Sequence, residues 1–224
     1  MSNVKEEYKK LIVETGLELV NLNMTVGTWG NISARDPETG LIYISPSGMD
    51  YKVITTDHVV VLDQDVNVVE GKAEPSIEKH MHCAVYKARK DVNAVIHTHP
   101  VYSSVFGCIE EDLPAVSEDF AQIVGEKVVN AFPYCLPGSE ELGDVAVKGL
   151  GNYNAVLLPS HGALAAGDDM KKAIKIITVL EKNAQIYIYA KLLGTPRKFS
   201  NKEISTMQDF AKNVYGAKNK AFGK

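Results

Sequence analysis

The sequence predicts a single α/β domain with a largely antiparallel sheet. Three observations carry this: helix-spaced apolar residues near both ends, strand pairs joined by turn-rich loops, and two short apolar runs that each end at a histidine. No Pro/Ser/Gly-rich linker, internal repeat or low-complexity block divides the chain, so residues 1–224 are taken as one domain. Residues Val4 to Asn23 carry Leu11, Ile12, Leu19, Val20 and Leu22 at helical spacing and predict an opening amphipathic helix. Asn31 to Arg35 and Leu41 to Ser45 bracket the turn-rich Asp36-Pro37-Glu38-Thr39-Gly40, which predicts a hairpin. Val59 to Leu62 and Val66 to Val69 flank Asp63-Gln64-Asp65 and predict a second one. Pro75 and Ser76 are helix-start signals, with Glu78 in the first turn and the helix running to about Arg89. Ala94-Val95-Ile96 is a short buried strand ending at His97, and a helix covers Pro100 to Gly107. Ala155 to Leu158 is another buried strand, leading into Pro159-Ser160-His161-Gly162. Asp168 caps a long helix closed by Gly194 and Pro196, and Asn201 caps a last helix ending near Tyr215-Gly216.

Composition narrows the function classes. Of 224 residues, 45% are apolar and 23% charged, which suits a globular chain with a core large enough to fold without disulfides or metal. The net charge of −4 argues against bulk nucleic-acid binding. An anionic ligand would then be held by local neutral donors. Cys83, Cys108 and Cys135 are odd in number and widely spaced, so a disulfide framework is not expected and a reducing compartment fits. The polar stretch Met1 to Lys10 has no apolar core of a signal peptide, and no uncharged apolar run approaches the ~20 residues that span a bilayer. The expectation is a soluble cytoplasmic protein.

The chemistry gathers at histidine. In His97-Thr98-His99, residues two apart on an extended chain point to the same side, so both imidazoles can reach one ion. His161 follows a second four-residue apolar strand, and Gly162 after it permits close backbone approach. Three imidazoles suit zinc, or another borderline divalent ion such as Mn2+ or Co2+. The second pair, His80-Met81-His82, falls in a predicted helix, where residues two apart point in nearly opposite directions. Glu78 and His82, four apart, share a face. Glu78 is the better fourth ligand, because a carboxylate completes a neutral three-histidine site. His82 is either a support behind the site or a packed histidine.

Three further segments have the makings of a phosphate cradle. Thr28-Trp29-Gly30-Asn31 is a tight turn with a hydroxyl, a flexible backbone N–H and an amide. Ser47-Gly48 offers the same pairing after Pro46, and Ser76 stands at a helix N-terminus, where free N–H groups attract anions.

Gly30-Asn31-Ile32-Ser33, Ser45-Pro46-Ser47-Gly48, Pro75-Ser76-Ile77-Glu78, His97-Thr98-His99 and Ser160-His161-Gly162 occur in the order seen in class II aldolases. Across nearly the whole chain the sequence resembles the aldolase/epimerase/adducin-head family. The resemblance implies a three-layer α/β/α fold, a homotetramer with active sites between subunits, and metal-dependent cleavage of a ketose 1-phosphate to dihydroxyacetone phosphate and an aldehyde. It implies His97, His99 and His161 as zinc ligands, with Glu78 as a ligand that leaves the metal to act as base. Thr28, Gly30, Asn31, Ser47, Gly48 and Ser76 match the phosphate-binding positions. Tyr215 matches a tail tyrosine that closes over a neighbouring subunit's site. Two positions depart from the aldolase pattern. Ile77 stands where a second phosphate-binding serine is found. Glu118 (Asp119 if the match slips by one) stands in place of a tyrosine proton donor, as in the family's dehydratase and epimerase branches. Glutamate at position 78 favours aldolase or dehydratase over 4-epimerase.

Two other classes compete. His97-Thr98-His99-Pro100 is also the histidine motif of JAMM-type zinc isopeptidases, but Cys108 and Glu111 stand where that motif needs serine and aspartate. A non-catalytic adducin-like module shares the fold; retention of all three histidines and Glu78 argues against it.

Overall fold

Along each central strand, side chains alternate between two apolar cores, and that period of two builds the molecule. The computed structural model describes residues 3–109 and 111–214. Among the described residues nine strands form one sheet: β1 (Asn31–Arg35), β2 (Ile42–Ile44), β3 (Val60–Leu62), β4 (Val68–Glu70), β5 (Ala94–Thr98), β6 (Leu113–Pro114), β7 (Lys127–Asn130), β8 (Ala155–Leu158) and β9 (Gly162–Gly167). Their order is β4-β3-β2-β1-β5-β9-β8-β7-β6, and every pairing is antiparallel except β7 with β8. The helices are α1 (Glu6–Asn21), α2 (Lys79–Ala88), α3 (Val101–Gly107), α4 (Glu118–Ile123), α5 (Glu140–Leu150), α6 (Met170–Leu193) and α7 (Asn201–Asn213).

Ala94, Ile96, Ala155, Leu157, Ala163 and Ala165 join one core with Ile12 and Leu19 of α1 and Ile176, Ile177 and Leu180 of α6. Their alternates Val95, Val156, Leu158, Leu164 and Ala166 join the other, with Met81, Val85 and Tyr86 of α2 and Leu142, Ala146 and Leu150 of α5. The central strands are therefore buried on both faces, and the architecture is three-layer α/β/α as expected. Among the described residues no helix is long and apolar enough to cross a membrane. All three cysteines are free.

The sequence pattern differs from the structure at several boundaries. Helix α2 starts at Lys79 with Glu78 as its N-cap residue, two positions later than Ser76, because Ser76 N donates to Ser45 O (3.1 Å) and is drawn to the neighbouring loop. Asp169, not Asp168, caps α6 by accepting from Lys172 N. Ser200, not Asn201, caps α7 in a reciprocal pair with Glu203. Residues 111–154 hold four elements the pattern leaves unassigned (β6, α4, β7 and α5), and β9 follows His161.

Strand β1 breaks the apolar rule in a way that prepares the site. Ile32 and Ala34 enter the α1 core, while Asn31, Ser33 and Arg35 face α2 and are also buried. Arg35 closes the C-terminal end of α2. Its guanidinium donates to Tyr86 O (2.9 Å), a carbonyl the helix end leaves without a partner, and to Lys90 O (2.8 Å) and Val92 O in the segment that follows. Arg35→Met strands these buried acceptors and is expected to lower unfolding free energy by about 2–3 kcal/mol. Urea denaturation checks this, and a loss under about 0.5 kcal/mol, the range of a neutral surface change, would refute it.

Candidate active site

Each of the three histidines is delivered by a strand end. His97 lies on β5, opposite Asn31 of β1, and His99 follows just beyond the strand. His161 sits in the tight turn between β8 and β9, where Ser160 takes a left-handed φ of 51° and donates its N–H to Gly107 O (2.8 Å). The rings converge edge to face, with centroids 4.6–4.9 Å apart. Their ligand nitrogens all lie within 4.8 Å of one another. Gly162 makes this possible: a Cβ there would stand 2.4 Å from Thr98 O and 3.1 Å from the His99 ring. Gly30 is equally constrained, with φ 76° and a Cβ position 2.7 Å from His97 O.

Glu78, buried at the head of α2, completes the cluster. Its Oε2 lies 3.3 Å from His97 Nε2 and its Oε1 lies 3.3 Å from His161 Nε2. Ligands about 2.0–2.1 Å from one tetrahedral ion stand about 3.3 Å apart, so these spacings fit a divalent metal. Electrostatics agree. Burial, together with the neighbouring His99, pushes His97 down to about 3. Burial and then His97 push His161 down to about 4, and burial lowers His99. All three rings are therefore neutral at neutral pH, the form in which imidazole can ligate a metal. The Nδ1–H of His97 donates to Ala163 O (3.0 Å), which directs its Nε2 lone pair to the centre. Glu78 Oε1 and His161 Nδ1 are buried with no hydrogen-bond partner among the described residues, and a cation beside Glu78 Oε1 would satisfy it.

The histidines open onto a pocket of about 390 Å³. Every segment expected to cradle an anion reaches it: Thr28, Gly30, Asn31, Ser47, Gly48 and Ser76 all line its wall. A bridge between Pro46 and Pro75 and the bond from Ser47 N to Glu74 O (2.9 Å) pull two of these loops together. The side chain of Asn31 is committed elsewhere, between Glu78 Oε2 (2.7 Å) and His82 Nε2 (2.6 Å). Ser76 Oγ accepts from Glu78 N (3.3 Å).

Sequence pattern missed the apolar lip. Trp29, Ile77, Tyr134 and Pro137 line the same pocket, and the Trp29 ring stands 5.5 Å from that of His99. An available signal was the lone tryptophan, 63% exposed, in the glycine-flanked turn. Glu118 is exposed at the start of α4 and lines no wall of this pocket. Asp119 pairs with Lys182 (2.5 Å) and does not line it either. Tyr215 lies outside the described residues. A larger groove of about 700 Å³, between Glu111 and Phe199, contains no histidine.

The Class II Aldolase and Adducin N-terminal domain matches residues 10–188. The chain belongs to that family. The 5-deoxy-D-ribulose 1-phosphate aldolase of Bacillus thuringiensis serovar kurstaki is 37% identical over 94% of this chain and 97% of its own. The L-fuculose phosphate aldolase of Escherichia coli K12 is 32% identical over 95% and 97%. A solved L-fuculose 1-phosphate aldolase superposes with a TM-score of 0.90 at 37% identity, covering 93% of this chain and 98% of the other. The protein is therefore an enzyme of the aldolase lyase type, and its histidine cluster suits the metal dependence of the family. The isopeptidase reading falls: that site makes no use of His161, which here stands within the cluster.

Proposed function

We propose that this class II aldolase is a cytoplasmic, zinc-dependent enzyme that cleaves a ketose 1-phosphate to dihydroxyacetone phosphate and a small aldehyde. The observation that carries the reading is Glu78 Oε1. It is a buried carboxylate oxygen with no donor, held against His161 at the base of a pocket whose wall includes the hydroxyl residues Thr28, Ser47 and Ser76 and the glycines Gly30 and Gly48. Those neutral donors suit a phosphate on a chain of net charge −4. His97, His99, His161 and Glu78 would hold the ion. A divalent ion supplies Lewis-acid stabilisation of negative charge developing on the substrate's oxygens.

The remaining steps fall to side chains. Thr28, Ser47, Gly48 and Ser76 fix the phosphate, which sets the register of the carbon chain. In cleavage the C4 hydroxyl loses its proton, the C3–C4 bond breaks, and C4 leaves as the aldehyde carbonyl. The electron pair stays on the three-carbon fragment, whose C3 takes a proton that Glu78 has drawn from solvent, while the group that takes the C4 hydroxyl proton returns it to solvent. In the reverse direction Glu78 removes that proton. The C4 hydroxyl proton goes to Glu118 or Tyr215 of a neighbouring subunit. Glu118 is exposed and lines no wall of its own pocket, so it would meet a substrate only in a neighbouring subunit's site; a homotetramer, with the tail of residues 200–224 reaching an active site, is part of the same proposal.

The apolar lip suits an aldehyde end without a charged or heavily hydroxylated tail, as in the substrates of the 5-deoxyribulose and 5-methylthioribulose phosphate aldolases to which the chain is similar. Zinc-loaded enzyme is offered the 1-phosphates of 5-deoxyribulose, 5-methylthioribulose, fuculose, rhamnulose and ribulose. Dihydroxyacetone phosphate release from at least one, fastest with a 5-deoxy or 5-methylthio sugar, is expected. Epimerised or dehydrated products with no such release would sink the assignment.

A further inference from the structure

Behind Glu78 runs a line of buried hydrogen bonds. Asn31 and Ser33 alternate onto the same face of β1, and His82 and Tyr86 stand four apart on the facing side of α2. Asn31 Nδ2 donates to Glu78 Oε2 (2.7 Å). His82 Nε2 lies 2.6 Å from Asn31 Oδ1, and His82 Nδ1 lies 2.6 Å from Ser33 Oγ. Ser33 Oγ in turn lies 2.8 Å from the Tyr86 hydroxyl.

The direction of every link follows from the carboxylate, which only accepts. Asn31 must therefore turn its NH2 to Glu78 and its oxygen to His82. His82 must carry its proton on Nε2, so its Nδ1 accepts from Ser33. The Ser33 oxygen is then free to accept from Tyr86. Burial keeps His82 neutral, pushing it down to about 3, so it holds one proton to place.

We propose that His82 is a positioning residue for Glu78. By fixing the amide of Asn31 it anchors Oε2, and it leaves Oε1, beside His161 and without a hydrogen-bond donor, as the oxygen that exchanges the proton. Without the His82 donor, the Asn31 amide is free to flip and set its carbonyl against the carboxylate, an arrangement that low-dielectric surroundings penalise. The kinetic half of this inference rests on Glu78 as the proton-shuttling base, whereas the anchoring half does not.

The test compares His82→Leu, which removes both ring nitrogens, with His82→Gln, whose amide can again donate to Asn31. His82→Leu is expected to weaken zinc affinity, read by chelator competition, by about 10–100-fold. It should lower kcat of the zinc-loaded enzyme about as much, with KM little changed. His82→Gln should recover most of both. Leu and Gln variants that both match wild type overturn the proposal. So do variants equally impaired in step with lost thermal stability, the result a packing role predicts. If wild-type enzyme cleaves no ketose phosphate, the functional reading fails while the zinc-affinity ranking still decides the anchoring. If His82→Leu does not fold, Ser33→Ala should bind zinc more weakly than Ser33→Thr, which keeps the hydroxyl; equal affinities refute the chain.

Discussion

Glu78→Gln is expected to lower kcat for ketose-phosphate cleavage by about 10²–10⁴-fold, the usual worth of a positioned acid/base, while the three histidines still bind metal. The geometry dictates more than the loss of a charge. Asn31 Nδ2 is a donor 2.7 Å from Glu78 Oε2, so a glutamine here must turn its carbonyl oxygen to Asn31. Its NH2 then occupies the position of Oε1, 3.3 Å from His161 Nε2. An NH2 group there neither takes a proton nor ligates a cation. The variant therefore loses the base and the fourth ligand together, although the side chain keeps its shape. Steady-state kinetics and metal analysis on the same sample decide it. Unchanged turnover with zinc bound would remove Glu78 from the reaction. A large loss of the melting temperature would instead mark Glu78 as a structural group.

The part of this site that could be read directly is the part governed by local geometry. His97 and His99 share a side because extended chain repeats every two residues, and Gly162 after His161 marked a close approach that the 2.4 Å Cβ clash with Thr98 O bears out. The opposed directions of His80 and His82 on a helix also hold, with His82 buried and His80 partly exposed. What stayed hidden depends on tertiary neighbours. Asn31 is a plausible anion donor until α2 is laid across β1, at which point its amide is spent on Glu78 and His82. Strand β9, Gly162–Gly167, is built, apart from one leucine, of glycine and alanine, which have low strand propensity. It is a strand because it lies between β5 and β8 under α6, where a Cβ on Gly167 would come within 2.7 Å of Ala173 N. Helix α5 did leave a local trace, since Ser139 caps it and Glu140 and Glu141 follow in the first turn.

In the metal-free enzyme, thermal stability is expected to fall steeply between about pH 6.5 and pH 4.5. The sign follows from the buried rings. His82 and His97 are pushed down to about 3, His161 to about 4, and His99 is lowered, all from an ordinary value of 6.5 and chiefly by burial. Below pH 6.5 the unfolded chain takes up protons at these positions that the folded chain refuses. Stability therefore drops with pH from the unfolded value downward and levels off only below the folded values. Each such ring contributes up to about 1.4 kcal/mol per pH unit, so a few of them remove several kcal/mol by about pH 5. That is a large share of the roughly 5–15 kcal/mol a folded domain has. Carboxylates do not confuse this window. Asp36, Asp91 and Asp119 sit below the ordinary 3.8, held there by Lys5, Arg89 and Lys182 respectively, so their contribution persists until the pH nears 4. Added zinc is expected to oppose the loss, because a metal binds neutral rings and only the folded chain brings them together. Melting curves in chelator and in excess zinc, from about pH 7.5 to 4.5, should therefore diverge most where metal-free protein begins to fail. A metal-free melting temperature that stays flat down to pH 5 would mean that protons reach these rings in the folded state, and that the histidine cluster is not a buried neutral site.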